Sequence, residues 1–254
     1  MKFAKLMLVP GALFLSYAAA APSSHNPCNK NKLFQVQGVA AWSTSSTAPG
    51  FFYESGLAVD ADGAYRAYHP VDQLGLDSLA HAGRPGNWWA LVTDNGKSDG
   101  RPLVQGIRDP APGYFVSMTA LNDSRDPNLR NPHRYVDALK FPYVVLHPNA
   151  LEYARLGDFA TVVNLRNGRF SPALVADISA PDLPVGEGSI ALAEALDIDP
   201  SPRHGGTDGG VLYLIHSGSG NGRPRSLQET VLRSRQLLED WGGLKKLRAC
   251  SAGD

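Results

Sequence analysis

The sequence predicts a mainly β fold, arranged as one elaborated domain with short helices and a C-terminal helix. Three observations lead there. Across 33–68, short apolar stretches (FQVQGVAAW, GFFYESGLAV, GAYRAY) alternate with Ser, Thr, Gly and Pro, as strands and turns do. Further on, FPYVVLH, FATVVNL, ALVAD and VLYLIHSG read as a succession of buried strands. Finally, Ser226 and Glu229 form a capping box ahead of a helix over 226–241 that stops near Gly242, with Leu227, Val231, Leu232, Leu238 and Trp241 marking its apolar face.

The elements follow in order. Lys2 and Lys5 precede an apolar run over 6–15 and small residues over 18–21, the pattern of a secretory signal peptide spanning 1–20. The expected product, 21–254, is a secreted soluble protein, periplasmic in a bacterium. Between 69 and 134, Gly, Pro, Asp and Asn are dense and the candidate strands NWWALVTDN, LVQGI and GYFVSMTAL are brief, so long ordered loops are expected. A start signal at 148–150 and a turn at 166–169 punctuate the later strands, and Ser189 can cap the short helix IALAEAL. Cys28 and Cys250, near opposite ends of a chain bound for an oxidising compartment, are expected to form a disulfide, with two unpaired thiols as the alternative.

Charge narrows the partners. Basic and acidic residues number 24 each, and loss of Lys2 and Lys5 with the leader leaves 22 against 24. That balance argues against nucleic-acid binding. The basic residues concentrate after 222, with seven basic and four acidic side chains in 223–254, so the body is mildly acidic and would draw a cationic polymer at low salt. The basic helix itself is expected to pack on the body with its Arg and Lys side chains outward. No second apolar run is long enough to span a bilayer, and a monomer is expected.

The chemistry concentrates between 173 and 196. An apolar strand ends on Asp177, a Pro-containing loop follows, and Glu187 sits between Gly186 and Gly188 just before the helix capped by Ser189. Two carboxyls can divide the work of glycoside hydrolysis, one giving a proton to the leaving oxygen and the other activating water or attacking directly. Burial at a strand end should raise the pKa of Asp177, which suits a general acid. The nearby helix start should favour the charged form of Glu187, which suits a general base. Spacing alone equally allows a turn-capping aspartate and a solvated loop glutamate.

Resemblance shifts that balance. Pro142-Tyr143-Val144-Val145, then Asp177, then Gly186-Glu187-Gly188-Ser189-Ile190-Ala191-Leu192-Ala193, then Val211-Leu212-Tyr213-Leu214-Ile215 resemble, in this order, motifs of the fungal-type chitosanases of glycoside hydrolase family 75. Val59-Asp60-Ala61-Asp62-Gly63 is similar to that family's Asp-x-Asp-Gly turn. The resemblance covers about half of the mature chain and implies an endo-acting β-1,4 chitosanase that inverts the anomeric centre, with Asp177 and Glu187 catalytic. The fungal enzymes are rich in cysteines around these motifs and this chain has two, so it resembles a divergent branch. The same region, with a Gly157-Asp158 turn ahead of a strand, resembles a double-psi β-barrel, which implies a small closed barrel over about 140–220. A non-catalytic barrel that binds cell-wall polysaccharide, and a hydrolase of peptidoglycan or another acetylated glycan, are the alternatives.

Around the acid pair, Trp88 and Trp89 can offer an indole face to a pyranose, although core packing competes for at least one of them. Asp60 and Asp62 can bind an amino sugar, or simply form a β-turn closed by Gly63. The Asp-x-Asp-Gly fragment lacks the remaining ligands of a calcium loop. His133, His147, His204 and His216 form no HExxH or Cys/His cluster, so neither metal nor other cofactor is expected. Ser217 and Ser219 in HSGSGNG do not form a nucleophile elbow and read as a loop.

Overall fold

The structure, a computed structural model, describes residues 28–44 and 48–252; the expected signal peptide lies outside the described residues. Ten strands form among the described residues: β1 (Lys30–Val36), β2 (Val39–Thr44), β3 (Phe51–Asp60), β4 (Gly83–Arg84), β5 (Asn87–Trp88), β6 (Tyr143–Leu146), β7 (Phe159–Asn164), β8 (Phe170–Ile178), β9 (Glu187–Ser189) and β10 (Thr207–His216). Three α-helices accompany them among the described residues, α1 (Ile190–Ala195), α2 (Leu227–Trp241) and α3 (Gly243–Ser251).

Six strands close a barrel in the order β3-β10-β7-β8-β6-β9, sealed by parallel pairing of β9 with β3. β6 and β8 are also parallel, and the other neighbours are antiparallel. The barrel therefore draws a strand from outside 140–220. Its β3 half-register also pairs with β2, whose hairpin with β1 turns on Gln37 (φ 45°) and Gly38 (φ 89°), the left-handed pair that a two-residue turn requires. GAYRAY forms turns rather than a strand, because successive turns at Ala61–Ala64 and Ala64–Ala67 reverse the chain.

Alternating side chains fill the barrel. Phe51, Tyr53, Val144, Val162, Val175, Tyr213 and Ile215 form one buried cluster, with the Tyr53 and Tyr213 rings stacked at 4.7 Å. This is a packed core with no open channel of the kind wider barrels hold. Asp158 pins one end: fully buried after Gly157 (φ 84°), it accepts from the backbone N–H groups of Gly220 (2.7 Å), Gly218 (3.0 Å) and Arg155 (3.0 Å).

Two layers cover the outside. Residues 61–141 wrap one flank as ordered loops with only β4, β5, short 3₁₀ turns and isolated bridges, and pack Tyr68, Leu91, Leu121 and Val136 against the outward Tyr143, Val145 and Ala176. The opposite flank carries α2 and α3, where Trp241, Leu247, Cys28 and Cys250 meet Phe52, Leu212 and Leu214. Cys28 and Cys250 are disulfide-bonded, their Cα atoms 5.5 Å apart.

Ser226 caps α2 by accepting from the N–H of Glu229, but the buried face differs from the expected one. Thr230, Ser234, Leu238 and Trp241 face inward, whereas Leu232 is 62 % exposed and Leu227 is also exposed. Small hydroxyl side chains let the helix lie close against β7 and β8, where the Ser234 hydroxyl approaches the Ala173 carbonyl at 3.5 Å. The chain resumes as α3 after Gly242, a second terminal turn of helix that supplies Leu247 and Cys250 to the same flank. Among the described residues no helix is long and apolar enough to cross a membrane.

Candidate active site

One row of the sheet organises the site. In register across four strands stand Ala58 of β3, Glu187 of β9, Val145 of β6 and Asp177 of β8. Glu187 and Asp177 are thus both partners of Val145, one on each side, which sets their backbones two strand spacings apart, roughly 9–10 Å. All four residues line one cleft of about 550 Å³ on the barrel's flank, beneath the loop layer. The site lies on the outer wall, not at the mouth of the barrel.

A β-bulge turns Asp177 toward that cleft. Val144 pairs with Val175 and Val145 with Asp177, so Ala176 is an extra residue in β8. In regular, unbulged pairing Asp177 would stand opposite Leu146, continue the alternation of Ala173 and Val175 and point into the barrel core. The inserted residue flips the face, a recurrent use of bulges beside functional sites.

Glu187 owes its position to its two glycines. Gly186 has φ 103°, and a Cβ there would meet the Gly56 carbonyl oxygen and the Ser55 hydroxyl at 2.6 Å; a Cβ on Gly188 would meet Leu192 at 2.6 Å and the Tyr143 carbonyl oxygen at 2.7 Å. Close approach, not flexibility, demands glycine at both. The Ser189 hydroxyl accepts from the N–H of Leu192 and so caps α1, as the sequence predicts.

Asp60 and Asp62 join the pair. A β-turn spans Ala61–Ala64, closed by the Ala64 N–H on the Ala61 carbonyl, and Asp60 at its entry accepts on Oδ1 from the N–H of Asp62 at 2.8 Å, which places both carboxylates in the cleft. One oxygen from each of Asp60, Asp62 and Asp177 lies within 4.8 Å of the others, a spacing at which the three could share one cation. The Tyr143 hydroxyl sits 2.9 Å from Asp60 Oδ2 and 3.0 Å from the Asp62 carbonyl oxygen, and the Tyr68 hydroxyl donates to Asp62 Oδ1 at 2.7 Å. No ion pair reaches Asp60, Asp62, Asp177 or Glu187 among the described residues.

Burial and mutual repulsion therefore hold protons on this cluster. Burial, against hydrogen bonds from Asp62 N–H and the Tyr143 hydroxyl, pushes Asp60 up to about 6. Burial, then the charges of Asp60 and Asp177, raises Asp62 well above the ordinary range. Asp177 is raised in the same way by burial and Asp60, although the N–H groups of Ile178 (2.8 Å) and Ala120 (3.2 Å) both donate to its Oδ1. Its Oδ2 is buried without a hydrogen-bond partner among the described residues.

Glu187 departs from expectation. The helix start should favour its charge, yet burial first, then Asp60, Asp177 and Asp77, raise its pKa well above the ordinary range. Its residue begins β9, two positions before the cap, the cap interaction belongs to Ser189, and burial with repulsion from neighbouring carboxylates outweighs a helix of six residues.

The two tryptophans divide. Trp88 is 7 % exposed and packs in the core of the loop layer, while Trp89 is 54 % exposed on the rim of the cleft. Its indole N–H donates to the His81 carbonyl oxygen at 2.7 Å and so fixes the ring. Tyr143, Tyr68, Asp77 and His81 complete the surroundings and were not singled out in the sequence. Tyr143 lies within the PYVV motif and could have been found there, since a tyrosine facing outward from a buried strand needs a polar partner. Asp77, 2.9 Å from His81 Nδ1, carries no local signal. Of the other histidines, His204 lines the cleft, His133 meets the Tyr65 hydroxyl at 2.7 Å, and His147 and His216 are buried, His216 held near 4 by burial. No family model matches the chain, and no curated protein matches it.

Proposed function

We propose that this protein is a secreted, endo-acting glycoside hydrolase that cleaves β-1,4 links in chitosan with inversion, as the family 75 resemblance of its motifs implies. The observation that carries this reading is the placement of Asp177 and Glu187 on either side of Val145, facing one cleft. Side chains projecting from backbones two strand spacings apart are compatible with the carboxyl separation of about 6.5–9.5 Å that leaves room for a water.

Asp177, in its protonated form, gives its proton to the leaving glycosidic oxygen as the C1–O bond breaks. Glu187 takes a proton from water, whose oxygen bonds to C1 from the opposite face. Exchange with solvent then resets both groups. An elevated pKa makes Glu187 a stronger base once ionised, at the cost of an acidic limb displaced upward. The exposed face of Trp89 supports a sugar ring, and the ammonium of glucosamine donates hydrogen bonds to the carboxyls of Asp60 and Asp62 and favours their ionised forms as it enters.

The test is reducing-end release from chitosan, with the anomer of the first product read by proton NMR. Wild type is expected to release the inverted anomer, while Asp177→Asn and Glu187→Gln, folded by circular dichroism, lose activity by about 10²–10⁴-fold. Folded wild type that releases nothing from chitosan removes the reading, and a retained anomer removes the roles given to the two acids.

A further inference from the structure

The cleft does not end at the acid pair. A second cavity of about 450 Å³ lies beside the first, and Trp89, Asp177 and Ile178 line both. The two lobes differ in charge. The first holds Asp60, Asp62, Asp77, Asp182 and Glu187 against His81, His204 and one full cation, Arg203, whose guanidinium is already engaged by Asp72 and the carbonyls of Asp72 and Asp77. The second holds Lys97 and Arg134 and, apart from the shared Asp177, no acidic residue. Lys97 is exposed, and among the described residues neither it nor Arg134 has an ion-pair partner; Arg134 donates to the Asp123 carbonyl oxygen at 2.9 Å. Met118, Leu129 and Tyr135 add apolar wall to this lobe.

We propose that the two lobes select unlike sugars on the two sides of the bond cut: a glucosamine unit in the acidic lobe and an N-acetylated unit in the lobe of Lys97 and Arg134. This rests on the hydrolase reading above and sharpens its substrate to partly acetylated chitosan. An ammonium group entering the second lobe meets two cations, a repulsion that the acidic lobe does not present. An acetamido group carries no charge, its methyl matches the Met118 and Leu129 wall, and its carbonyl accepts hydrogen bonds from a guanidinium or ammonium. Trp89, at the boundary, contacts the chain where the two units join.

The experiment is digestion of chitosan of known, random acetylation, with the new chain ends sequenced by mass spectrometry. One new end, always the same one, is expected to be acetylated about threefold or more above the polymer's average, and the other depleted in acetyl groups. Lys97→Glu, on an exposed loop, is expected to bring the first end back toward the average while the second stays depleted; Arg134→Gln acts in the same direction. Cleavage with both ends at the average, or a bias unmoved by Lys97→Glu, overturns the proposal and leaves the hydrolase reading standing. Absence of cleavage at every degree of acetylation removes both. Preferred release from a polymer bearing carboxylate sugars on that side would replace the acetylated unit with an anionic one.

Discussion

Replacing Asp60 by Asn should make the protein more stable at neutral pH than wild type, relative to their difference in acid. In the folded chain Asp60 keeps its proton up to about 6, against 3.8 ordinarily. Between those pH values the folded state binds more protons than the unfolded state, so stability falls as pH rises. The contribution is intact below about 4 and lost above about 6, and the difference corresponds to ~3 kcal/mol. The variant's geometry is tolerable. Oδ1 of an asparagine can still accept from the Asp62 N–H, and the Tyr143 hydroxyl, 3.0 Å from the Asp62 carbonyl oxygen, can donate there while accepting from the new amide. Urea unfolding at pH 4, 5, 6, 7 and 8 measures the effect. The gap between variant and wild type should widen in favour of the variant by ~3 kcal/mol from pH 4 to pH 8, or about 1 M in midpoint at a slope ordinary for this size. Two curves that run parallel across pH would refute the account of the carboxylate cluster as a store of repulsion.

Other perturbations separate packing from chemistry. Trp88→Ala should cost about 3–5 kcal/mol of stability, whereas Trp89→Ala should leave thermal unfolding near wild type and raise KM for the polymer, measurable by calorimetry and initial rates. Reduction of the Cys28–Cys250 disulfide, which joins residues 222 apart, should lower stability by about 5 kcal/mol in the chain-entropy picture, read as a shift of the denaturation midpoint with and without reductant. Gly186→Ala should disturb β9 and abolish activity even if the barrel folds, because its φ and the Gly56 carbonyl leave no room for a methyl group; hydrogen exchange confined to β9 and its neighbours would report it.

Where sequence and structure agree, a local pattern carried the information. Buried runs such as Tyr143–Leu146 and Phe159–Asn164 can hardly be anything but central strands, and Ser189 and Ser226 announce their helices by side-chain capping. The convergence of Asp60, Asp62, Asp177 and Glu187 on one cleft was legible only through the order of motifs, since pairing between β3 and β9 joins residues more than a hundred positions apart. The charge of Glu187 was misread for the same reason: the helix beside it is visible in sequence, and the carboxylates facing it are not. The inward face of α2 was misread because hydrophobicity marked Leu227 and Leu232, while closeness to the barrel selected Thr230 and Ser234. The split between Trp88 and Trp89 needed the loop layer itself, which has almost no regular pattern to read.

The extra residue at Ala176 works like a shifted reading frame written in backbone. Upstream of it β8 spells inward and outward side chains in one phase, and downstream in the other, so bulged or regular pairing decides whether Asp177 belongs to the oily interior or to the cleft. A register slip that removed the bulge without shortening the strand would set Asp177 opposite Leu146 and turn the acid inward, with no substitution at either carboxylate.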